Sequence, residues 1–278
     1  MIQPGDPCYI IAEIGINHNG SIDTALDMIA AAKAAGCNAV KFQKRTIELV
    51  YTKEELARLR ESMFGHTNGA LKRGLEFHGR EYDRIDEYCR GIGIDWFASC
   101  WDQLAVDFIA RYDVPYYKIA SASLTDDDLL EYTRVKGKPV ILSTGMSTLK
   151  QIDHAVKMLG KDNLILLHCM SSYPAYNDEL NLKVIPALRE RYNVPVGYSG
   201  HELGVASTIA AVVLGACVVE RHLTLSRNLW GSDQAASLEP AEFAELVRDI
   251  RFVEAAMGDG VKQVYEREIP IMLKLRRK

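Results

Sequence analysis

Short apolar runs recur along this chain, and most are separated by stretches whose apolar residues return with helical period. Eight runs read as strands: Tyr9–Glu13, Ala39–Phe42, Asp95–Ala98, Tyr116–Ile119, Pro139–Ser143, Leu164–His168, Val196–Ser199 and Val218–His222. Each is four or five residues long, as expected of strands buried on both faces of a parallel sheet. Helix signals fill the intervals. Ser21 stands as a cap before Ile22, Ala25, Leu26 and Ile29, with Gly36 as the stop. Thr148 and Gln151 have capping-box spacing ahead of Ile152, Ala155, Val156 and Leu159, and Gly160 ends the run. Pro240 opens a third, with Phe243, Leu246, Val247, Ile250 and Val253 on one face and its end near Gly258.

Such alternation fits a closed (β/α)8 TIM barrel or an open doubly wound sheet, both α/β. An open sheet binding a nucleotide carries G-x-G-x-x-G after its first strand. Here that position reads Glu13-Ile14-Gly15-Ile16-Asn17-His18-Asn19-Gly20, which favours the barrel, as one domain over residues 1–278. Residues 44–80, with Phe64-Gly65-His66-Thr67-Asn68-Gly69, are long for a simple connection. They read either as a surface excursion or as a βα-loop that helps build an active site.

In a barrel the C-terminal strand ends share one mouth. The polar residues at those ends are Glu13; Lys41 and Gln43; Ser99; Lys118 and Ser121; Ser143 and Thr144; His168, Ser171 and Tyr173; Ser199 and His201; Glu220 and His222. Two lysines and several serines around one cleft suit a small dianion such as a phosphate ester. Two histidines on adjacent strands near a carboxylate suit a divalent metal. Each residue alone has a plainer reading: a snorkelling lysine, a structural histidine, a serine capping the next helix, a glutamate in a structural ion pair. It is joint placement at one rim that points to a site.

Composition narrows the class. The net charge of −4 gives no reason to expect a nucleic-acid partner. The six cysteines are scattered without a C-x-x-C pair, which reads as free thiols in a reducing cytoplasm. The start, Met1-Ile2-Gln3-Pro4-Gly5-Asp6-Pro7, lacks a basic region followed by an apolar stretch, and no run approaches a membrane span.

The ordered motifs resemble the NeuB family, the sialic acid (N-acetylneuraminate) synthases, over Ile10 to about Gly258. They are Ile11-Ala12-Glu13-Ile14-Gly15-Ile16-Asn17-His18-Asn19-Gly20, Val40-Lys41-Phe42-Gln43, Tyr117-Lys118-Ile119-Ala120-Ser121, Ser143-Thr144-Gly145-Met146, Leu167-His168-Cys169 with Tyr173-Pro174, Gly197-Tyr198-Ser199-Gly200-His201, Val219-Glu220-Arg221-His222 and Gly231-Ser232-Asp233. The resemblance implies a barrel enzyme that condenses phosphoenolpyruvate with an aldose such as N-acetylmannosamine. It implies a divalent ion, Mn2+ with Mg2+ or Co2+ as alternatives, on His201 and His222. It implies catalytic roles for Glu13, Lys41, Lys118, Glu220 and Asp233, with phosphoenolpyruvate contacted by the two lysines and by Ser99, Ser121, Ser143 and Ser199. The acceptor is implied near Gln43, Asn68, Ser171, Tyr173 and Asp233.

Three departures touch the acceptor side. Ser123 stands where the family usually has an acid, and a hydroxyl is neither a base nor a charged acceptor. Asp126, Asp127 and Asp128 follow, but adjacent acids read as a solvated helix start. Ser171 replaces an amide-bearing residue. The family's C-terminal antifreeze-like (SAF) domain, which carries an arginine to the partner subunit, is expected to be absent, the chain ending at Leu273-Lys274-Leu275-Arg276-Arg277-Lys278. A homodimer is expected by resemblance. Two other readings stay open: a synthase for another 3-deoxy-2-keto acid from a different aldose or aldose phosphate, and a non-catalytic sugar-phosphate binder that keeps the barrel.

Overall fold

In the computed structural model, which describes residues 2 and 5–277, the expected eight strands close into a barrel. Met1, Gln3, Pro4 and Lys278 of the terminal stretches read above lie outside the described residues. In chain order the strands are β1 (Tyr9–Gly15), β2 (Ala39–Lys44), a separate hairpin of β3 (Leu59–Ser62) and β4 (Gly65–Thr67), then β5 (Asp95–Cys100) and β6 (Tyr117–Ile119). They continue with β7 (Val140–Ser143), β8 (Leu164–Cys169), β9 (Val196–Gly200) and β10 (Val218–His222). The barrel order is β1-β10-β9-β8-β7-β6-β5-β2, with β2 back beside β1 and every pairing parallel.

The strand bounds differ from the apolar runs for local reasons. β2 and β5 continue through Gln43-Lys44 and Ser99-Cys100, because Gln43 pairs with Ser99 and Lys44 with Cys100 after the apolar pattern has ended. β7 begins after Pro139, which has no N–H for the ladder. Its carbonyl still accepts from the Tyr117 N–H. The helix signals are used as read. Ser21 Oγ accepts from the Thr24 N–H, Gly36 closes that helix with φ of 90°, Thr148 and Gln151 form a reciprocal capping box, and Pro240 opens Pro240–Met257.

A helix follows each barrel strand and covers its outer face, while strand residues such as Ile11, Phe42, Phe97, Leu166 and Val219 are fully enclosed. The excursion after β2 holds helices Ile47–Val50 and Lys53–Ala57, the β3–β4 hairpin and helix Asn68–Leu75. Its base is tied at the barrel wall by Lys44 Nζ, which donates to Glu76 Oε1 at 2.6 Å and to the Phe77 carbonyl at 2.8 Å. All six cysteines are buried free thiols. Among the described residues no helix is long and apolar enough to cross a membrane.

β9 and β10 approach closely at Gly197, where an added Cβ would run into the Val218 carbonyl oxygen. A backbone oxygen cannot rotate aside. Gly197→Ala is therefore expected to cost about 1–3 kcal/mol of stability, read as a lower midpoint in urea unfolding.

Candidate active site

Side chains alternate across a strand with period two. β2 thus turns Lys41 and Gln43 inward and Phe42 and Lys44 outward, and β10 turns Glu220 and His222 inward and Arg221 outward. Register brings the inward residues together. Glu13 on β1 lies opposite Lys41 on one side and His222 on the other. Ser99 lies opposite Lys118, and Ser199 opposite Glu220. The result is one cavity of about 210 Å³ at the C-terminal mouth of the barrel.

Its centre is a buried charge cluster. Lys41 Nζ is 2.8 Å from Glu13 Oε2, 2.9 Å from Ser99 Oγ and 3.6 Å from Glu220 Oε1. Burial pushes the Glu13 carboxyl up to about 7, against the pull of Lys41 and with help from the like charge of Glu220. Burial also works against the charge of Lys41, but Glu13 and Glu220 outweigh it and hold its pKa above the ordinary lysine value. For Glu220 burial is again outweighed, here by Lys41 and Lys118, so its carboxyl stays below the usual range. Lys118 is different. Its Nζ donates to Ser143 Oγ at 2.6 Å and to the Ile119 carbonyl at 3.2 Å, and no described carboxylate lies within ion-pair distance. Burial, with Lys41 nearby, lowers its pKa against the pull of Glu220.

The two histidines stand beside this cluster, their ring centroids 5.4 Å apart, with the Tyr173 ring 4.0 Å from His201. Burial, helped by His222, lowers the His201 pKa to about 4, and burial likewise lowers that of His222 against the pull of Asp233. Both imidazoles are therefore neutral near pH 7. His201 Nδ1 is 2.6 Å from the Met170 carbonyl oxygen. A carbonyl can only accept, so the proton sits on Nδ1 and Nε2 carries the lone pair. His222 Nδ1 and Glu220 Oε2 are buried without a hydrogen-bond partner. Among the described residues no group of three or more His, Cys, Asp or Glu side chains is gathered as a ready-made metal cage. What is present fits a divalent ion held by two imidazoles and completed by water or substrate oxygens.

Behind the histidines lies a second charge pair. Glu202 follows His201 and Arg221 precedes His222, so the period-two rule turns both outward. Arg221 Nη1 is 3.0 Å from Glu202 Oε1, with both side chains fully enclosed. Arg221 also donates to Thr208 Oγ1 at 2.7 Å and to the carbonyls of Gly204 and Glu202 at 2.9 and 2.5 Å. Glu202 accepts from Tyr198 Oη at 2.8 Å and from Ser207 Oγ at 2.5 Å. This network locks the ends of β9 and β10, and with them the separation of the two imidazoles.

Thirteen of the residues expected at the site line the cavity: Glu13, Lys41, Gln43, Ser99, Lys118, Ser121, Ser143, Ser171, Tyr173, Ser199, His201, Glu220 and His222. Two do not. Asn68 begins helix Asn68–Leu75 and donates to the Glu55 carbonyl. Asp233 sits at the rim, its Oδ2 3.9 Å from His222 Nδ1. His168, another strand-end candidate, reaches the Leu180 carbonyl at 2.7 Å instead of the cavity. Asp126 caps the next helix and Asp127 faces His154 on the surface, so neither supplies the carboxylate that Ser123 lacks. Trp101, Met146 and Cys169 line the wall without having been singled out. Gly145 presses so close that a Cβ there would strike Ser171 Oγ, Cys169 Sγ and Ser121 Oγ, while its N–H donates to Ser121 Oγ at 3.0 Å.

Comparison with known proteins gives the family. The sequence model of the NeuB family matches residues 28–262. The chain belongs to the NeuB family. N-acetylneuraminate-9-phosphate synthase of Mus musculus, one NeuB relative, is 44% identical over 275 residues, covering 97% of this chain and 76% of that protein. N,N'-diacetyllegionaminic acid synthase of Legionella pneumophila is 35% identical over 280 residues, covering 97% and 79%. The crystal structure of N-acetylneuraminic acid (sialic acid) synthetase from Leptospira borgpetersenii superposes with a TM-score of 0.85 at 34% identity, covering 98% of this chain and 94% of that one. These NeuB relatives are named for different products, so membership alone leaves the acceptor open.

Arg221→Met would leave Glu202 charged and unpaired in a dry site, at a cost of about 3–5 kcal/mol. The double variant Arg221→Met/Glu202→Leu is expected to lose much less, because no uncompensated charge remains. Denaturant midpoints for the single and double variants check this; equal losses would contradict it.

Proposed function

We propose that this protein condenses phosphoenolpyruvate with an open-chain aldose resembling N-acetylmannosamine, giving a sialic or related nonulosonic acid and phosphate. The observation that carries this is Lys118, enclosed at the barrel centre with hydroxyl and carbonyl partners and, among the described residues, no carboxylate in ion-pair range. A buried cation in that state is stabilised by an anionic ligand. Lys41 and the hydroxyls of Ser99, Ser121, Ser143 and Ser199 share the cavity with it.

In the reaction, C3 of phosphoenolpyruvate bonds to the aldehyde carbon and water adds at C2. Phosphate then leaves with its C2–O bond, so one phosphoenolpyruvate, one aldose and one water give one 2-keto acid and one phosphate. Lys41 and Lys118 hold the anionic substrate and offset its charge, and the serines fix its orientation. Glu13, poised near 7, accepts a proton from the water as it adds. Glu220, kept ionised by the two lysines, stabilises positive charge developing at C2. Gln43, Ser171 and Tyr173 meet the acceptor, with Asp233 at the rim. His201 and His222 would hold a divalent ion, Mn2+ by preference with Mg2+ or Co2+ as alternatives; when bound, it polarises the aldehyde oxygen as a Lewis acid. The free buried thiols suit a cytoplasmic enzyme, and a homodimer belongs to the same reading.

The test is phosphate release from phosphoenolpyruvate with Mn2+ present, against free and phosphorylated aldoses, with products weighed by mass spectrometry. Acceptor-dependent release with the matching mass gain is expected, and a chelator should abolish it. His222→Ala should end turnover in a protein whose circular dichroism is unchanged. Lys118→Met should raise KM for phosphoenolpyruvate about 10- to 100-fold, the effect of losing a charged hydrogen bond. No release with any acceptor, from folded protein supplied with metal, would leave the binder reading, which Ser123 in place of a carboxylate favours.

A further inference from the structure

We propose that Asn17 and Asn19 are positioning residues: from the loop after β1 they hold the loop after β10, so that the Asp233 carboxylate stands beside His222 where the acceptor arrives. This rests on the synthase reading above and adds to it residues that act without touching substrate.

β10 ends at His222, and residues 223–238 lead from there towards helix Pro240–Met257. The two ends of this loop are pinned to the barrel. The Leu223 N–H donates to the Glu13 carbonyl, and the Leu238 N–H to the His222 carbonyl. Between them Leu229 and Trp230 stand exposed, so burial does not hold the chain there. Asp233 follows three residues later. Its Oδ2 is 3.9 Å from His222 Nδ1, a spacing that the course of the loop decides.

Side-chain amides fix that course. Asn19 Nδ2 donates to the Trp230 carbonyl at 2.7 Å. Asn17 Nδ2 donates to the Leu223 carbonyl and to Ser237 Oγ, both at 2.8 Å. Ser237 Oγ in turn donates to the Asp233 carbonyl at 2.7 Å. Gln234, next to Asp233, donates to the carbonyls of Asn17 and Trp230 at 3.2 and 3.3 Å and accepts from Thr224 Oγ1. A carbonyl oxygen only accepts, so these partners fix which way each amide points. Gly231, with φ of 146°, lets the chain come this close: a Cβ there would lie 3.1 Å from Gln234 Cγ and 3.4 Å from Asn19 Oδ1. Asn19 therefore fixes the chain three residues before Asp233, and Asn17 acts through Ser237 on Asp233 itself.

A clamp can position a loop only if its own base is fixed. The His18 ring stacks on Phe77 with centroids 3.9 Å apart, and its Nδ1 accepts from the Gly20 N–H at 3.0 Å. Gly20 lies against the Gly74 carbonyl oxygen and the Phe64 ring, leaving no room for a Cβ. The segment Asn17-His18-Asn19-Gly20 thus has two jobs. Histidine and glycine seat it against the excursion after β2, and the asparagines hold the loop after β10. Neither asparagine lines the cavity, so both act through Asp233.

The experiment joins amide hydrogen exchange to steady-state kinetics on wild type, Asn19→Gly and Asn19→Asp. Asn19 has φ of 51°, a conformation that glycine and aspartate also tolerate. Glycine deletes the amide, while aspartate keeps its size but has no N–H for the Trp230 carbonyl. In both variants the backbone amides of residues 224–237 are expected to exchange about 5- to 10-fold faster, with those of β9 and β10 unchanged. With Mn2+ present, KM should rise about 5- to 10-fold for whichever of N-acetylmannosamine and N-acetylmannosamine 6-phosphate wild type turns over, while KM for phosphoenolpyruvate stays within about twofold. Unchanged exchange in Asn19→Gly overturns the proposal, as does wild-type behaviour of Asn19→Asp or an equal rise in both KM values. In those cases product still forms and the synthase reading stands. Where wild type releases no phosphate with either sugar, it is the synthase reading that fails, and faster or unchanged exchange still upholds or overturns the clamp.

Discussion

The site depends on holding opposite charges where protein encloses them almost completely. Lys41 and Glu13, 2.8 Å apart inside the barrel, each have a charge that burial opposes. Their mutual attraction in a low-dielectric interior opposes that cost: with Glu220 it keeps Lys41 charged, and it limits the rise of Glu13 to about 7. Glu220 joins the same group through Lys41. Lys118, across from Ser99 in the strand register, has no carboxylate of its own. The cluster is balanced around Lys41 and under-compensated around Lys118, and that asymmetry is what gives an anionic substrate a place to go.

Strand geometry then divides the labour of single short segments. In Gly200-His201-Glu202 and Glu220-Arg221-His222, neighbouring residues face opposite sides of the wall. The inward members present neutral imidazoles and a carboxylate to the cavity. The outward members form an ion pair, with further hydrogen bonds to Tyr198, Thr208 and the Gly204 carbonyl. A one-residue slip of β10 would exchange the two sets, turning Arg221 into the cavity and His222 into the helical layer. The outward pair therefore protects the register on which the inward chemistry rests.

How much of this could be read beforehand follows from what each residue must satisfy. Barrel strands are buried on both faces, so their apolar runs are visible, and the polar residues just past them are conspicuous. That is why Lys41, Lys118, His201 and His222 stood out. Glu202 and Arg221 did not, because one-dimensional pattern does not show that an acid after one strand and an arginine on the next are partners. β3 and β4 were missed because four- and three-residue strands outside a core need no apolar alternation. His168 misled for the opposite reason: it ends a strand, yet its ring serves the Leu180 carbonyl. Asn68, implied near the acceptor although no quoted motif covers its loop, sends its side chain to the Glu55 carbonyl and Arg60.

The excursion after β2 is closed at its foot by Lys44, which grips Glu76 and the Phe77 carbonyl while its own strand remains in the barrel. A segment whose ends are already clamped together can change length at little chain-entropy cost. No barrel hydrogen bond runs through it. Its length can therefore vary without moving the register of β2 against β5, on which the inward residues of both strands depend.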